Sequence, residues 1–86
     1  MADSALPILL DVISPETTLV HQMVESVELP GTKGRFVILR SHAPLVSSLE
    51  KGEIRYSCGG EKVETLAISS GFVEVCDNKV TACVEI

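Results

Sequence analysis

Turn-forming residues interrupt this chain every 8–15 residues, and that spacing excludes most folds. The punctuation is Ser14-Pro15, Pro30-Gly31, Gly34, Pro44, Gly52, Gly59-Gly60, Gly71 and Asp77-Asn78. Between these marks lie short segments rich in Val, Ile, Leu and Thr, too short and too β-branched for ordinary helices. The pattern predicts an all-β fold, a small antiparallel β-sandwich (a flattened barrel), as a single domain over residues 1–86. A chain of 86 residues has room for one core and buries only about 60–65% of the surface its unfolded form exposes.

Two hairpins can be registered from residue types. Asp77-Asn78 separates Phe72–Cys76 from Lys79–Val84, and both residues tolerate the positive φ of a two-residue turn. Folding there pairs Cys76 with Lys79, Val75 with Val80, Glu74 with Thr81, Val73 with Ala82 and Phe72 with Cys83. One face is then aliphatic throughout (Val73, Val75, Val80, Ala82, Val84), as a core face must be. The same register sets Cys76 and Cys83 about 13 Å apart along the strands, too far for a disulfide. A second turn at Gly59-Gly60 is expected to set Tyr56 opposite Val63, Arg55 opposite Glu64 and Ile54 opposite Thr65, with Arg55–Glu64 as an exposed cross-strand ion pair.

Upstream, residues 8–13 read as a strand ended by Pro15. Residues 17–22 and 23–29 read as two strands or one long bent strand, ended by Pro30-Gly31. Phe36–Leu39 is a short apolar strand. The segment 45–49 fits both strand and helix spacing, and its tight bounds at Pro44 and Gly52 favour strand.

Composition removes several function classes. Net charge is −5, whereas nucleic acid and anionic membranes require concentrated Lys and Arg. The three aromatic residues, Phe36, Tyr56 and Phe72, offer no platform for stacking bases. The longest apolar run, Ala5–Leu10, contains a proline and falls far short of a membrane span. Met1-Ala2-Asp3-Ser4 lacks the basic start of a secretory signal, so a cytosolic chain is expected. Cys58, Cys76 and Cys83 are odd in number and irregularly spaced. They read as small buried hydrophobes in a reducing compartment, not as metal ligands.

Candidate chemistry is sparse. Gly31-Thr32-Lys33-Gly34-Arg35 has glycines and positive charge but lacks the ending of a phosphate loop, and reads as a surface turn. His21 sits in a strand-like segment and His42 in a loop fixed by Pro44. No serine lies in a nucleophile elbow, and a cysteine nucleophile would have only these two histidines as base. Glu25 and Glu28, three apart on a strand, face opposite sides. Lys33, Arg35 and Arg40 fall within eight residues free of acid. Charge alone leaves open whether these are solvated or form a docking patch for an acidic partner.

Six stretches in order resemble the N-terminal domain of the F-type ATP synthase epsilon subunit. They are Leu10–Glu16, Val27–Gly34, Ser41-His42-Ala43-Pro44-Leu45, Lys51–Tyr56, Ile68–Val75 and Asp77–Thr81, and together they cover nearly the whole chain. The resemblance implies a β-sandwich on the central stalk, bound to the gamma subunit and resting on the polar loops of the membrane c ring. Such a domain is non-catalytic and binds no cofactor. It couples ion-driven rotation of the ring to ATP synthesis, at the cytoplasmic face of an energy-transducing membrane. By position, Ser14, His42, Ala43, Pro44, Leu45 and Ser47 resemble the gamma contacts, and Thr32, Lys33, Gly34 and Arg35 the loop that meets the ring.

Three departures stand out. The family loop is usually acidic, whereas Lys33 and Arg35 are basic. Arg40-Ser41 stands where the family has Pro-Gly. The sequence ends at Ile86, where the family continues into a helical hairpin, so neither hairpin-type inhibition nor a nucleotide site is expected. The competing reading is a free-standing recognition module that binds a peptide or acidic protein through the basic loop 33–40.

Overall fold

The computed structural model describes residues 6–86, and every regular element in it is a strand. In chain order these are β1 (Ile8–Ile13), β2 (Thr18–Val24), β3 (Ser26–Gly31), β4 (Gly34–Ile38), β5 (Leu45–Leu49), β6 (Gly52–Ser57), β7 (Val63–Ile68), β8 (Ser70–Cys76) and β9 (Lys79–Glu85). Ser14-Pro15, Thr32-Lys33 and Asp77-Asn78 each sit in a link between strands, as turn chemistry requires. The ambiguity at 45–49 resolves as strand because the segment pairs along its whole length with β8.

One layer runs β2-β1-β9-β8-β5 and the other β4-β3-β6-β7. Three links between layers are one or two residues long: Glu25 between β2 and β3, Glu50-Lys51 between β5 and β6, and Ser69 between β7 and β8. Each is a strand that bends over an edge rather than a loop. The second half of the 17–29 segment is therefore a bent continuation of the first. At the corner, β3 also pairs with β5 through Gly31 and Leu49, which joins the layers into one curled sheet. The strand continues through Pro30-Gly31, beyond the boundary expected there, because Pro30 needs no amide hydrogen bond and its carbonyl accepts from the Glu50 amide at 2.9 Å.

The β8–β9 register agrees with the expectation pair for pair, from Cys76–Lys79 to Phe72–Cys83. Asp77 and Asn78 both take positive φ, 53° and 61°. The five aliphatic residues of this hairpin's inner face are buried, with Ile8, Leu10 and Val12 beside them and Val27, Leu29, Ile54 and Tyr56 from the other layer. Burying a Val, Leu or Ile side chain contributes about 1.5–3 kcal/mol, so this shared core carries the fold.

Four expectations need correction. The β6–β7 hairpin is one residue out of the expected register: Ser57 pairs with Val63, Tyr56 with Glu64, Arg55 with Thr65 and Ile54 with Leu66. The Cys58 amide donates to Lys62 O at 2.8 Å and the Lys62 amide to Gly59 O at 3.2 Å, so three residues, not two, make the turn. Packing explains the choice. A two-residue turn would set Leu66 opposite Glu53 on the solvent side, whereas the odd loop places Leu66 and Ile68 with Ile54 and Tyr56 on the core side. The same ladder runs on from β5 to β8, Leu45–Val75 to Leu49–Gly71, so one turn sets the register of both layers.

Second, the sandwich is not wholly antiparallel, because β1 and β9 pair in parallel, Leu9–Lys79 to Ile13–Cys83. Third, the cysteines are free but not buried; Cys76 is exposed and Cys58 and Cys83 are half-buried. Cys83 lies on the outer face of β9, and Cys58 in the β6–β7 turn accepts a hydrogen bond from Gln22 Nε2 at 3.2 Å. Fourth, the strand expected over 36–39 is present but shifted, running from Gly34 to Ile38 at the sheet edge, with Ile38 buried and Val37 and Leu39 exposed.

Candidate docking surfaces

The registers assign the turns to two ends. At one end lie the Leu39–Pro44 link, the Cys58–Lys62 turn and the Asp77-Asn78 turn. The first and last are in contact, the Ser41 amide donating to Asn78 Oδ1 at 2.6 Å, and the Leu9 amide of β1 donates to Asn78 O at 3.0 Å. At the other end lie Ser14–Thr17, Thr32-Lys33, Glu50-Lys51 and Ser69. There Thr32 Oγ1 meets Ser48 Oγ at 2.9 Å, and the Ser69 amide donates to Glu85 O at 2.8 Å.

This arrangement divides the two expected contact sets differently from the sequence. Thr32, Lys33, Gly34 and Arg35 stay together at one end. His42, Ala43, Pro44 and Leu45 stay together at the other, with Ser47 half-buried on the core side of β5. Ser14 belongs to the same end as Thr32, not to that of His42. It closes its own turn, the Ser14 amide donating to Thr17 O at 2.8 Å and the Thr17 amide to Ser14 Oγ at 3.3 Å.

Between the two ends, and besides Met23 on β2, the outer face of the β2-β1-β9-β8-β5 layer carries two large apolar residues that sequence reasoning missed as contacts. Val46 is 72% exposed on β5 and Phe72 is 53% exposed on β8. Val46 pairs with Glu74 and Ser48 with Phe72, which makes Val46 and Phe72 diagonal neighbours on one face. Phe72 pairs in turn with Cys83, and Cys83 with Ile13. Beside them a hollow of about 540 Å³ opens, lined by Ile13, Ser14, Pro15, Phe72 and Cys83. Its floor reaches Leu49 and Val84 because Gly71 has no side chain there. An apolar band therefore links Val46, next to the His42–Leu45 run, with Ser14 at the far end. Its signal was present in the β8–β9 register, which puts a phenylalanine on the face opposite the aliphatic one.

The link before this run explains how Arg40-Ser41 substitutes for Pro-Gly. The His42 amide donates to Leu39 O at 3.2 Å and Ser41 takes φ 64°, so Ser41 occupies the third position of a tight turn in a glycine-like conformation. His42 is half-buried, its Nδ1–H donating to Ala43 O at 2.7 Å. His21 is exposed on β2, with Nδ1 3.1 Å from Asp11 Oδ1. The hydrogen bonds of both rings go to oxygens that hold them in place, and neither bonds to a serine or cysteine among the described residues.

The basic run does not form a patch. Strand β4 carries Arg40 away from Lys33 and Arg35 to the opposite end. Arg35 Nε donates to Glu28 Oε2 at 2.7 Å and its Nη2 to Glu53 O at 2.7 Å. Arg55, freed from the expected pairing with Glu64, lies 3.9 Å from Glu28 Oε1 and 3.7 Å from Glu53 Oε1. The hydrogen bond from Arg35 holds the Glu28 carboxyl below its ordinary value of 4.5, against a smaller opposing effect of desolvation. Tyr56, by contrast, is pushed above 10.0, first by burial and then by the Glu64 carboxylate that the observed register places opposite it.

A small sandwich whose polar side chains serve turns and ion pairs, and which carries an apolar band on the outer face of its larger layer, has the surface of a docking domain. Known proteins define it further. Residues 8–86 match the family model described as "ATP synthase, Delta/Epsilon chain, beta-sandwich domain", and the chain belongs to that family. It is 56% identical over 72 residues to the ATP synthase epsilon chain of Desulfitobacterium hafniense, covering 84% of this chain and 54% of that one. It is 35% identical over 85 residues to the ATP synthase epsilon chain of Chlorobaculum tepidum, covering 99% and 97%. The chain thus spans about half the length of the first of these relatives and nearly all of the second. Among solved structures, a chain of the Euglena gracilis mitochondrial ATP synthase, in an OSCP/F1/c-ring complex, has the same fold. Its TM-score is 0.84 at 24% identity, covering 91% of this chain and 50% of that one.

Proposed function

We propose that this chain is a central-stalk subunit of a rotary ATP synthase, docking the gamma subunit to the membrane c ring so that ion-driven rotation reaches the catalytic head. In this reading it contributes binding surface and stiffness, catalyses nothing and needs no cofactor. It sits peripherally at the cytoplasmic face of the membrane; no helix among the described residues is long and apolar enough to cross one.

The observation that carries the reading is the exposed apolar band from Val46 through Phe72 to Ser14. Taken with family membership, it favours gamma lying across the outer face of the five-strand layer and touching His42, Ala43, Pro44 and Leu45 at one end and Ser14 at the other. The turn Thr32–Arg35, at the end away from His42, is then left to meet the ring. The free-standing module loses its basis with the dispersal of the 33–40 basic run.

Native mass spectrometry of the chain mixed with gamma from the same source tests this, beside a Val46→Ser/Phe72→Ser variant. Both residues are exposed, so the variant keeps its core. A 1:1 complex lost in the variant is the expected result. A complex that persists in the variant moves gamma to another face. No wild-type complex at micromolar concentration removes the stalk assignment.

A further inference from the structure

Of the four residues expected to meet the ring, two are already committed elsewhere. Arg35 directs two donors at groups of its own domain, Glu28 Oε2 and Glu53 O, both at 2.7 Å. Its charge is matched within a cluster of two arginines and two carboxylates, Arg35, Arg55, Glu28 and Glu53. A guanidinium whose plane is fixed and whose charge is matched in this way is less available to a partner than an unpaired ammonium. Thr32 is held from the other side. Its amide donates to Ser48 O at 3.1 Å and its hydroxyl meets Ser48 Oγ at 2.9 Å. The turn is braced to β5 through Thr32 and to β3 and β6 through Arg35.

Lys33, at the tip of the braced turn, is exposed and joins no ion pair among the described residues. Glu50 on the adjoining turn is also exposed and lies beyond ion-pair distance of it. An ammonium is a compact point charge that takes a single anionic oxygen group, and a tip already ordered loses little freedom when it docks.

We infer that the β3–β4 turn meets its partner through one charge, the Lys33 ammonium, that the group it meets is a carboxylate, and that Arg35, held by Glu28, positions the turn without touching the partner. The inference rests on the ring-facing reading of this turn and reverses the sign of the charge carried by the family's usual loop.

The test uses the assembled stalk and ring from the same source, treated with a carbodiimide. This reagent joins an amine to a carboxylate only when they are in contact, and peptide mapping finds the joined residues. Lys33 linked to an Asp or Glu of the ring subunit is expected. Lys33→Gln should weaken retention on the ring by about five- to tenfold and flatten its salt dependence. Lys51→Gln, the same charge loss on the adjoining turn, should change retention less than about twofold. Glu28→Gln leaves the Lys33 charge intact but releases Arg35. The amides of residues 32–34 should then exchange faster with solvent, and the Lys33 cross-link should become less abundant.

Lys33 left unlinked in a complex that holds the chain on its ring would overturn the inference. Equal losses from Lys33→Gln and Lys51→Gln would do the same, by reducing the effect to general charge. Unchanged exchange in Glu28→Gln would refute the positioning role of Arg35. A ring that never retains the wild-type chain removes the ring-facing reading itself, and this inference with it.

Discussion

Replacing Ser41 with glycine should make this protein more stable, although glycine ordinarily costs stability. Ser41 has φ 64°, in the left-handed region where the Cβ of an L-residue crowds its own backbone. That conformation costs roughly 1–2 kcal/mol for a residue with a Cβ. Glycine removes the crowding but gives the unfolded chain more freedom, which offsets about 0.5–1 kcal/mol. The net gain is about 0.5–1 kcal/mol, and for a domain of this size that raises Tm by about 2–8 °C. Among the described residues Ser41 makes one hydrogen bond, through its backbone amide to Asn78 Oδ1, and glycine keeps it. Thermal and urea unfolding of wild type, Ser41→Gly, Ser41→Ala and Ser41→Val would measure the effect. Alanine should be close to neutral and valine, β-branched, should lose stability. A Ser41→Gly protein no more stable than wild type, with an unchanged urea slope, would refute the claim that this link stores backbone strain. The result also bears on docking, since Ser41 leads directly into the His42–Leu45 run.

Gly71→Ala should be severely destabilising. A Cβ there would lie 2.5 Å from Cys83 O and 3.0 Å from Val84 Cα, both backbone atoms, at φ 157°; a loss of about 2–4 kcal/mol in urea unfolding is expected, and a loss under 1 would contradict the close approach of β8 to β9. Cys76 is exposed, yet its thiol is held above 9.0, chiefly by the Asp77 carboxylate beside it. Asp77→Asn should therefore speed alkylation of Cys76 at neutral pH, while asparagine still tolerates the turn's positive φ; an unchanged rate would exclude Asp77 as the cause. The Glu28 carboxyl is held below 4.5 in the folded state. Its stabilisation is thus present above pH 4.5 and disappears as pH falls through the lowered folded value. The stability gap between wild type and Glu28→Gln should be open at pH 7 and closed in strong acid, and a gap independent of pH would mean that the ion pair with Arg35 contributes nothing.

Much of the fold was legible because period-2 alternation and turn chemistry are local properties. Asp77-Asn78 determined a register that carried through to Phe72–Cys83, since two residues tolerant of positive φ leave one way to fold the hairpin. The Gly59-Gly60 turn shows the limit of reading turns alone. Glycines permit several loop lengths, and the choice fell to Leu66 and Ile68, which had to join Ile54 and Tyr56 in the core. That correction was available in the alternation of β7. The run 33–40 failed differently. Its charges were correctly identified, but their partners lie on β3 and β6, and β4 separates its two ends.

The sequence by itself determined the order of the strands, the inward face of the β8–β9 hairpin, and the family to which the chain belongs, because each depends on residue order over a few positions or on motifs in sequence. Only the tertiary structure decided that β1 and β9 run parallel, that Arg35 is neutralised by Glu28 while Lys33 stays free, and that Val46 and Phe72 bridge Ser14 and His42 across one face. Those outcomes depend on which distant strands become neighbours, and that is settled by closing a shared core, where no single segment carries the information.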